Sequence, residues 1–138
     1  MGLTGDCMPT ARDSSGRKLV VVIDRDPLVR DAMAGLLQSW GFEVVAAAWA
    51  DAALARLAED KLRPDLIIAD YRLRGGATGL EAIQQLRGAL ASPIPALVIM
   101  GEIAPHLQSE AEADGCVVLQ KPVHPAMLRK LLDEILGE

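Results

Sequence analysis

Three charged residues stand directly after, or close to, apolar runs of the sequence. Asp24 and Asp70 each end such a run, and Lys121 follows another run near the C-terminus. An ionised aspartate beside a cation can act as a nucleophile toward phosphorus, and a lysine can pair with phosphoryl oxygens. A lone aspartate after a strand is usually a turn former or a helix N-cap. If two aspartates and a lysine all lie at one edge of a sheet, however, their coincidence favours a chemical site.

The elements that would position these residues alternate regularly along the chain. Five apolar runs, each of which predicts a strand, lie at 19–23, 44–46, 66–69, 96–99 and 117–119. Helical spacing of apolar residues predicts helices at 27–40, 51–62, 80–90, 105–113 and 125–136. The first run is β-branched and apolar on both faces, which is typical of a buried parallel strand.

This alternation predicts an α/β fold, in which a parallel sheet is covered by helices on both faces. Right-handed crossovers leave few topologies, and the commonest for five strands is the doubly wound, flavodoxin-like order 2-1-3-4-5. Strands 1 and 3 are then neighbours, about 4.8 Å apart. We therefore expect Asp24 and Asp70 to repel each other at the carboxyl edge, where a divalent cation or a lysine would offset the repulsion.

Length and composition indicate one globular domain. The chain has 138 residues, of which 51% are hydrophobic, and this is enough to bury a core. Residues 1–17 are polar and aperiodic, so we predict a flexible tail or linker there and a folded domain over 18–138.

The bulk properties also exclude several classes of function. The formal net charge of −5 argues against nucleic acid and against anionic membranes as direct partners. No apolar run approaches the ~20 residues of a membrane span, and no secretion signal is present at the N-terminus. Cys7 and Cys116 lack the spacing of a metal site, and a reducing cytoplasm is the expected location.

Two enzyme classes are disfavoured by the loops. The segment Asp24-Arg25-Asp26-Pro27 replaces the glycine-rich turn that dinucleotide and flavin phosphates need after the first strand. The loop at 75–79 lacks the Gly-Lys-Ser/Thr ending of a P-loop. A flavodoxin-like cofactor enzyme is therefore a poor interpretation of this fold.

Over about 18–136, the sequence resembles the receiver domains of response regulators in two-component signalling. The motifs that carry the resemblance are VIDRDPLVR at 22–30, DLIIADYRL at 65–73, GLEAI at 79–83 and KPV at 121–123. The segment PALVI at 95–99, together with KPV, is most similar to receivers attached to hybrid histidine kinases.

The resemblance implies a phosphorelay function. Asp70 would take a phosphoryl group from a histidine kinase or a histidine phosphotransfer domain, and Lys121 would pair with the phosphoryl oxygens. Mg²⁺ would be held by an acidic pair that begins at Asp24, by Asp70, and by the backbone carbonyl of Arg72. The chain would not be an enzyme beyond self-phosphorylation and autodephosphorylation. Homodimers through the fourth helix, fifth strand and fifth helix would be possible.

Three positions depart from the family pattern. Arg25 stands where the second acidic residue is expected, Met100 where strand 4 normally ends in a hydroxyl, and Val118 at the aromatic switch position. A methionine thioether has no donor for a phosphoryl oxygen. We therefore expect a weakened conformational switch.

Arg25 also changes the charge of the site. The formal charges of Asp24, Arg25, Asp70 and Lys121 sum to zero, so Mg²⁺ binding is expected to be weak or absent. Two interpretations of Arg25 remain open. Its guanidinium could occupy the place of the cation and pair with Asp70, or it could point into solvent beside a weak metal site.

A phosphorylation-independent pseudo-receiver is the rival interpretation. Such a protein-interaction module would keep the fold and dock partners through the fourth helix, fifth strand and fifth helix. The three departures favour this rival. The intact aspartates and lysine favour the phosphoryl acceptor.

Overall fold

The computed structural model describes residues 17–101 and 105–137, without the side chain of Arg74. The tail predicted at 1–17 lies outside the described residues except for Arg17. That residue forms an ion pair with Glu43, at 2.8 Å between Nη1 and Oε2. In the described part of the chain, no helix is long and apolar enough to cross a membrane.

Five parallel strands form the sheet. They are β1 (Leu19–Ile23), β2 (Glu43–Ala47), β3 (Leu66–Asp70), β4 (Ala96–Met100) and β5 (Cys116–Gln120). Their spatial order is β2-β1-β3-β4-β5, and every neighbouring pair is parallel. The predicted order 2-1-3-4-5 is thus confirmed.

Four strands, β2 to β5, run one residue further at the carboxyl end than predicted. Asp70 belongs to β3 because it pairs with Ile99, and Met100 belongs to β4 because it pairs with Gln120. The apolar runs mark only the buried part of each strand, whereas the hydrogen-bond ladder continues to the edge. The residues at this edge therefore have strand geometry, which fixes their directions.

Five helices connect and cover the strands. They are α1 (Pro27–Ser39), α2 (Ala50–Asp60), α3 (Gly79–Leu90), α4 (Pro105–Ala113) and α5 (Pro125–Leu136), with a short 3-10 turn at Arg74–Gly76. The prediction of α2 was one residue late at its start and two residues long at its end. The helix stops there because Lys61 adopts a left-handed conformation, at φ 54°.

The helices lie in two layers, which produce two hydrophobic clusters. Apolar residues of α2, α3 and α4 pack on one face of the sheet, and those of α1 and α5 pack on the other. Every residue of β1, β3 and β4 is buried. These central strands therefore form a rigid base for the side chains at their carboxyl ends.

Candidate functional site

Asp24 and Asp70 lie side by side at the carboxyl edge of the sheet. Ile23 of β1 pairs with Ala69 of β3, so the residues that follow them are adjacent on neighbouring strands. The two aspartates are only 7% and 5% exposed, and they are the buried charged residues of the described chain. Two carboxylates this close are stable only if nearby groups compensate their charge.

Lys121 provides this compensation for Asp70. Its Nζ lies 2.8 Å from Oδ1 of Asp70. The backbone N–H of Lys121 donates to the carbonyl of Met100 at 2.8 Å, which extends the pairing of β4 and β5 and directs the lysine over the sheet edge. The lysine side chain is 47% exposed, so the ion pair joins a buried carboxylate to a cation that also meets solvent.

The carboxylate of Asp24 is held by a backbone N–H, and its backbone carbonyl is held by an arginine. Its Oδ1 accepts a bond from the N–H of Asp26 at 2.9 Å, and its carbonyl accepts one from Nη1 of Arg30 at 2.8 Å. Burial raises the pKa of the Asp24 carboxyl, the bond from Asp26 opposes this rise, and the negative charge of Asp70 adds to it. The negative charges of Asp24 and Asp70 thus repel each other in the site.

Asp26 does not add a third carboxylate to the site. Its side chain accepts a bond from the N–H of Leu28 at 3.0 Å and caps α1, and Pro27 takes the first helical position. Both features follow from the sequence pattern. The carboxylate of Asp26 is therefore bound at the start of α1 and adds no ligand to the site.

Gly79 brings the start of α3 against the acceptor strand. Its N–H donates to the carbonyl of Tyr71 at 2.8 Å. A Cβ at this position would lie 2.5 Å from the carbonyl oxygen of Asp70, far inside contact distance. Sequence reasoning assigned no role to Gly79. The signal was a glycine at the first residue of a helix, where it has no propensity advantage.

Arg25 is exposed, and the ion pair of Asp70 is made by Lys121 instead. This exposure agrees with the interpretation in which Arg25 points into solvent, whereas the weak metal site that belongs to that interpretation stays a prediction. Arg72 is exposed as well, next to a backbone bridge with Thr78. The hydroxyl of Thr78 accepts a bond from the N–H of Glu81 at 3.2 Å, so it serves as a helix cap.

The donor set fits Mg²⁺ poorly. Within 17–101 and 105–137, no three Asp, Glu, His or Cys side chains come together in a group that could hold a metal. One oxygen of Asp70 is bound by Lys121, and one oxygen of Asp24 is bound by the N–H of Asp26. Mg²⁺ requires near-octahedral oxygen coordination, usually through one or two carboxylates and several waters, so these two bonds compete with it for the carboxylate oxygens. With Arg25 in place of an acid, the predicted ligands are two aspartates and one carbonyl.

The opposite wall of the site is apolar. A small cavity of about 100 Å³ lies beside Asp70 and Lys121, and Met100 and Leu107 line its other side. Met100 is 1% exposed, and Val118 is half-buried against the same cluster. Met100, one of the two predicted switch positions, therefore contributes apolar surface to the site, whereas Val118 pairs with Val98 in the middle of β5.

A second, larger cavity opens next to the aspartates, and we call it the α1 groove. It has a volume of about 700 Å³ and ends at Asp24 and Lys121. Its apolar lining includes Leu28, Val29, Ala32, Leu36, Pro122 and Val123. Leu28 is 79% exposed although its spacing matches the apolar face of α1. Sequence periodicity gave no sign of this exposure.

Comparison with known proteins agrees with this architecture. The sequence profile of the family described as response regulator receiver domain matches residues 20–133. Chemotaxis protein CheY4 of Vibrio cholerae has a similar structure, with a TM-score of 0.77 and 30% sequence identity. That similarity covers 87% of this chain and 99% of CheY4.

Two curated proteins are similar in sequence. The Phyllosphere-induced regulator PhyR of Methylorubrum extorquens is 25% identical over 131 residues, which are 90% of this chain and 48% of PhyR. The putative two-component response regulator ARR21 of Arabidopsis thaliana is 30% identical over 115 residues, which are 81% of this chain and 18% of ARR21. The chain thus spans less than half the length of each relative.

Proposed function

This chain belongs to the response regulator receiver domain family, and from this premise we propose that it accepts a phosphoryl group on Asp70. Receiver domains are modules of two-component signalling that interact with histidine kinases or phosphotransfer proteins, and they are generally not enzymes. The observation that carries the proposal is the 2.8 Å ion pair between Lys121 and a buried Asp70, beside Asp24 at the sheet edge.

The ion pair also suggests which oxygen would react. Lys121 holds Oδ1 of Asp70, so the other carboxylate oxygen is the nucleophile. Its electron pair forms the new bond to phosphorus while the bond from phosphorus to the histidine nitrogen of the donor breaks. The imidazole leaves with that electron pair and is protonated by solvent. Self-phosphorylation from a small donor and later hydrolysis are the only reactions this proposal assigns to the chain.

Mg²⁺ has a reduced role in this proposal. Receiver domains typically bind Mg²⁺, and the available ligands here are Asp24, Asp70 and the backbone carbonyl of Arg72. The poor fit of this set, with a neighbouring Arg25, leads us to expect weak binding or none.

The α1 groove is the proposed docking site for the phosphoryl donor, a helix of a histidine kinase or phosphotransfer protein. The groove ends at Asp24 and Lys121, so a helix seated in it could bring its histidine to Asp70. Exposed Leu28 and Val29 would contact the apolar face of such a helix. Exposed apolar surface of this kind is typical of protein–protein interaction sites.

A phosphorylation-independent module is the second candidate, and buried Met100 favours it. Such a pseudo-receiver would bind partners, or a second copy of itself, through the face formed by α4, β5 and α5. A receiver of a hybrid histidine kinase is a finer proposal that rests only on the motifs at 95–99 and 121–123, since neither curated relative is named as a kinase.

Acetyl phosphate separates the two candidates. We expect intact mass spectrometry to detect one phosphoryl adduct, and peptide mapping to locate it at Asp70. Asp70→Asn should abolish the adduct, whereas Asp31→Asn, at an exposed aspartate of α1, should retain it. If no adduct forms at Asp70 even at high Mg²⁺, the chain is not a phosphoryl acceptor and the module interpretation takes its place.

A further inference from the structure

We propose that Arg25 supplies the positive charge that a divalent cation would otherwise bring to this site, so that Asp70 is phosphorylated without a metal ion. This inference rests on the proposed function of Asp70 as the acceptor. It follows from the poor fit between the residues of the site and Mg²⁺, which leaves the charge of the phosphoryl group without a metal ion to compensate it.

Arg25 adjoins a residue of the acceptor site, and its side chain is exposed. It directly follows Asp24, which lies next to Asp70 across the β1–β3 pair. Its side chain is exposed, and within the described residues it forms no ion pair. Both adjacent carboxylates have other partners, because Asp24 accepts from a backbone N–H and Asp26 caps α1. The guanidinium is therefore available to an anion that enters the site.

The other nearby cations are already engaged. Lys121 pairs with Asp70 at 2.8 Å, and Arg30 donates to the carbonyl of Asp24 at 2.8 Å. A phosphoryl group brings a charge of about −1.5 to −2 at neutral pH to a site that already holds two buried carboxylates. One lysine cannot compensate both charges. The fork of N–H donors on a guanidinium matches two phosphoryl oxygens, so Arg25 is suited to this role.

The reaction with acetyl phosphate balances without a co-reactant. A carboxylate oxygen of Asp70 forms a bond to phosphorus, the bond from phosphorus to the bridging acyl oxygen breaks, and acetate leaves with the electron pair. No proton and no electron is required from another molecule. Arg25 and Lys121 would bind the non-bridging oxygens, where negative charge is concentrated during the transfer.

The test compares phosphorylation rates by acetyl phosphate in EDTA and in Mg²⁺, measured by intact mass. In wild type we expect rates within about twofold of each other, since charge is supplied by the protein. In EDTA, Arg25→Ala should lower the rate about tenfold, because an exposed guanidinium contributes less than the ~100- to 1,000-fold effect of a preorganised donor. Arg25→Lys should retain part of the rate. Arg56→Ala removes an exposed arginine of α2 and should have no effect.

A binding measurement gives a second readout. Inorganic phosphate should shift the Arg25 side-chain resonances in NMR titrations, and its affinity should fall at least threefold in Arg25→Ala but not in Arg56→Ala.

The possible failures are distinguishable. A wild-type rate that EDTA abolishes and Mg²⁺ restores overturns the role of Arg25 while Asp70 stays the acceptor. An Arg25→Ala rate in EDTA equal to wild type overturns it as well. If no adduct forms in wild type, and none forms in Arg25→Asp at high Mg²⁺, then the acceptor proposal itself is wrong.

Discussion

The two halves of the carboxyl edge differ in chemical character. The half built by β1 and β3 holds Asp24 and Asp70, buried and polar, whereas in the half built by β4 and β5 the residue beside the site is Met100, which is buried and apolar. Lys121 lies between them, bound to Asp70 by its side chain and to β4 by its backbone. The difference teaches that a site can keep its reactive group while losing the groups that would respond to the reaction.

The apolar residue at the end of β4 weakens the coupling between phosphorylation of Asp70 and a movement of that strand. A ligand shifts a conformational equilibrium only by its difference in affinity for the two states. A phosphoryl group on Asp70 would meet Lys121 on one side and an apolar wall at Met100 on the other, so moving β4 toward it gains no hydrogen bond. We therefore expect phosphorylation to alter the first half of the edge more than the second.

The packing that supports the first half can be broken at Gly79. Gly79→Ala places a Cβ 2.5 Å from the carbonyl oxygen of Asp70, so either α3 or β3 must shift. We expect a loss of about 3 kcal/mol in the free energy of unfolding, the upper range of overpacking effects, measured by urea denaturation. Shifts of backbone resonances should concentrate around Asp70.

Gly88→Ala is the matched control within the same helix. A Cβ there meets no atom within 4 Å, so the substitution should stabilise α3 by up to about 1 kcal/mol. If both variants lose stability equally, the close approach to Asp70 is not the cause.

The apolar half can be made polar at Met100. Met100→Thr restores a hydroxyl, and we expect a loss of about 2 kcal/mol in unfolding free energy because apolar volume is removed and a polar group is buried. Met100→Leu nearly conserves volume and should lose less than about 1.5 kcal/mol. After treatment with acetyl phosphate, resonances of β4 and β5 should shift further in the threonine variant than in wild type. Equal shifts in both would show that the hydroxyl is not what this half lacks.

Metal affinity provides a third test of the comparison. Arg25→Asp changes the local charge by two units and restores a third carboxylate beside Asp24 and Asp70. We expect Mg²⁺ to bind about tenfold tighter or more, equivalent to about 1.4 kcal/mol, as measured by NMR titration. Arg56→Asp makes the same change of charge on α2 and should leave the affinity unchanged. An unchanged affinity in Arg25→Asp would place residue 25 away from the metal position.

The fold was predictable because its signals are local and repeated. Strands buried on both faces read as continuous apolar runs, and their alternation with helices admits few topologies. The order of the strands then predicts that Asp24, Asp70 and Lys121 lie at one edge. The structure brings all three together.

Other features of the site depend on which neighbour covers each residue, and periodicity does not record this. Leu28 matches the apolar spacing of α1 but is left exposed, so the α1 groove could not be predicted. The close approach of Gly79 to Asp70 is likewise a property of tertiary packing. The sequence leaves two interpretations of Arg25 open because its direction depends on the bonds of nearby carboxylates. In the structure, Asp26 caps α1 and Asp70 pairs with Lys121, and Arg25 is exposed.

The smallest expected effect is electrostatic and concerns Asp24 alone. Burial and Asp70 raise the pKa of this carboxyl above its ordinary value of 3.8. Below that pH the group is protonated in both the folded and the unfolded chain. As pH rises from 3.8 toward the raised pKa, the unfolded chain loses the proton first, so stability falls, and above the raised pKa the penalty is constant. Asp24→Asn should therefore be more stable than wild type at neutral pH, and the gain should vanish near pH 3.8.

The amide oxygen still accepts the bond from Asp26, whereas Asp24→Ala loses this bond and should be about 1 kcal/mol less stable than the asparagine variant. Urea denaturation at several pH values measures both differences, and a gain that did not change with pH would contradict the electrostatic origin.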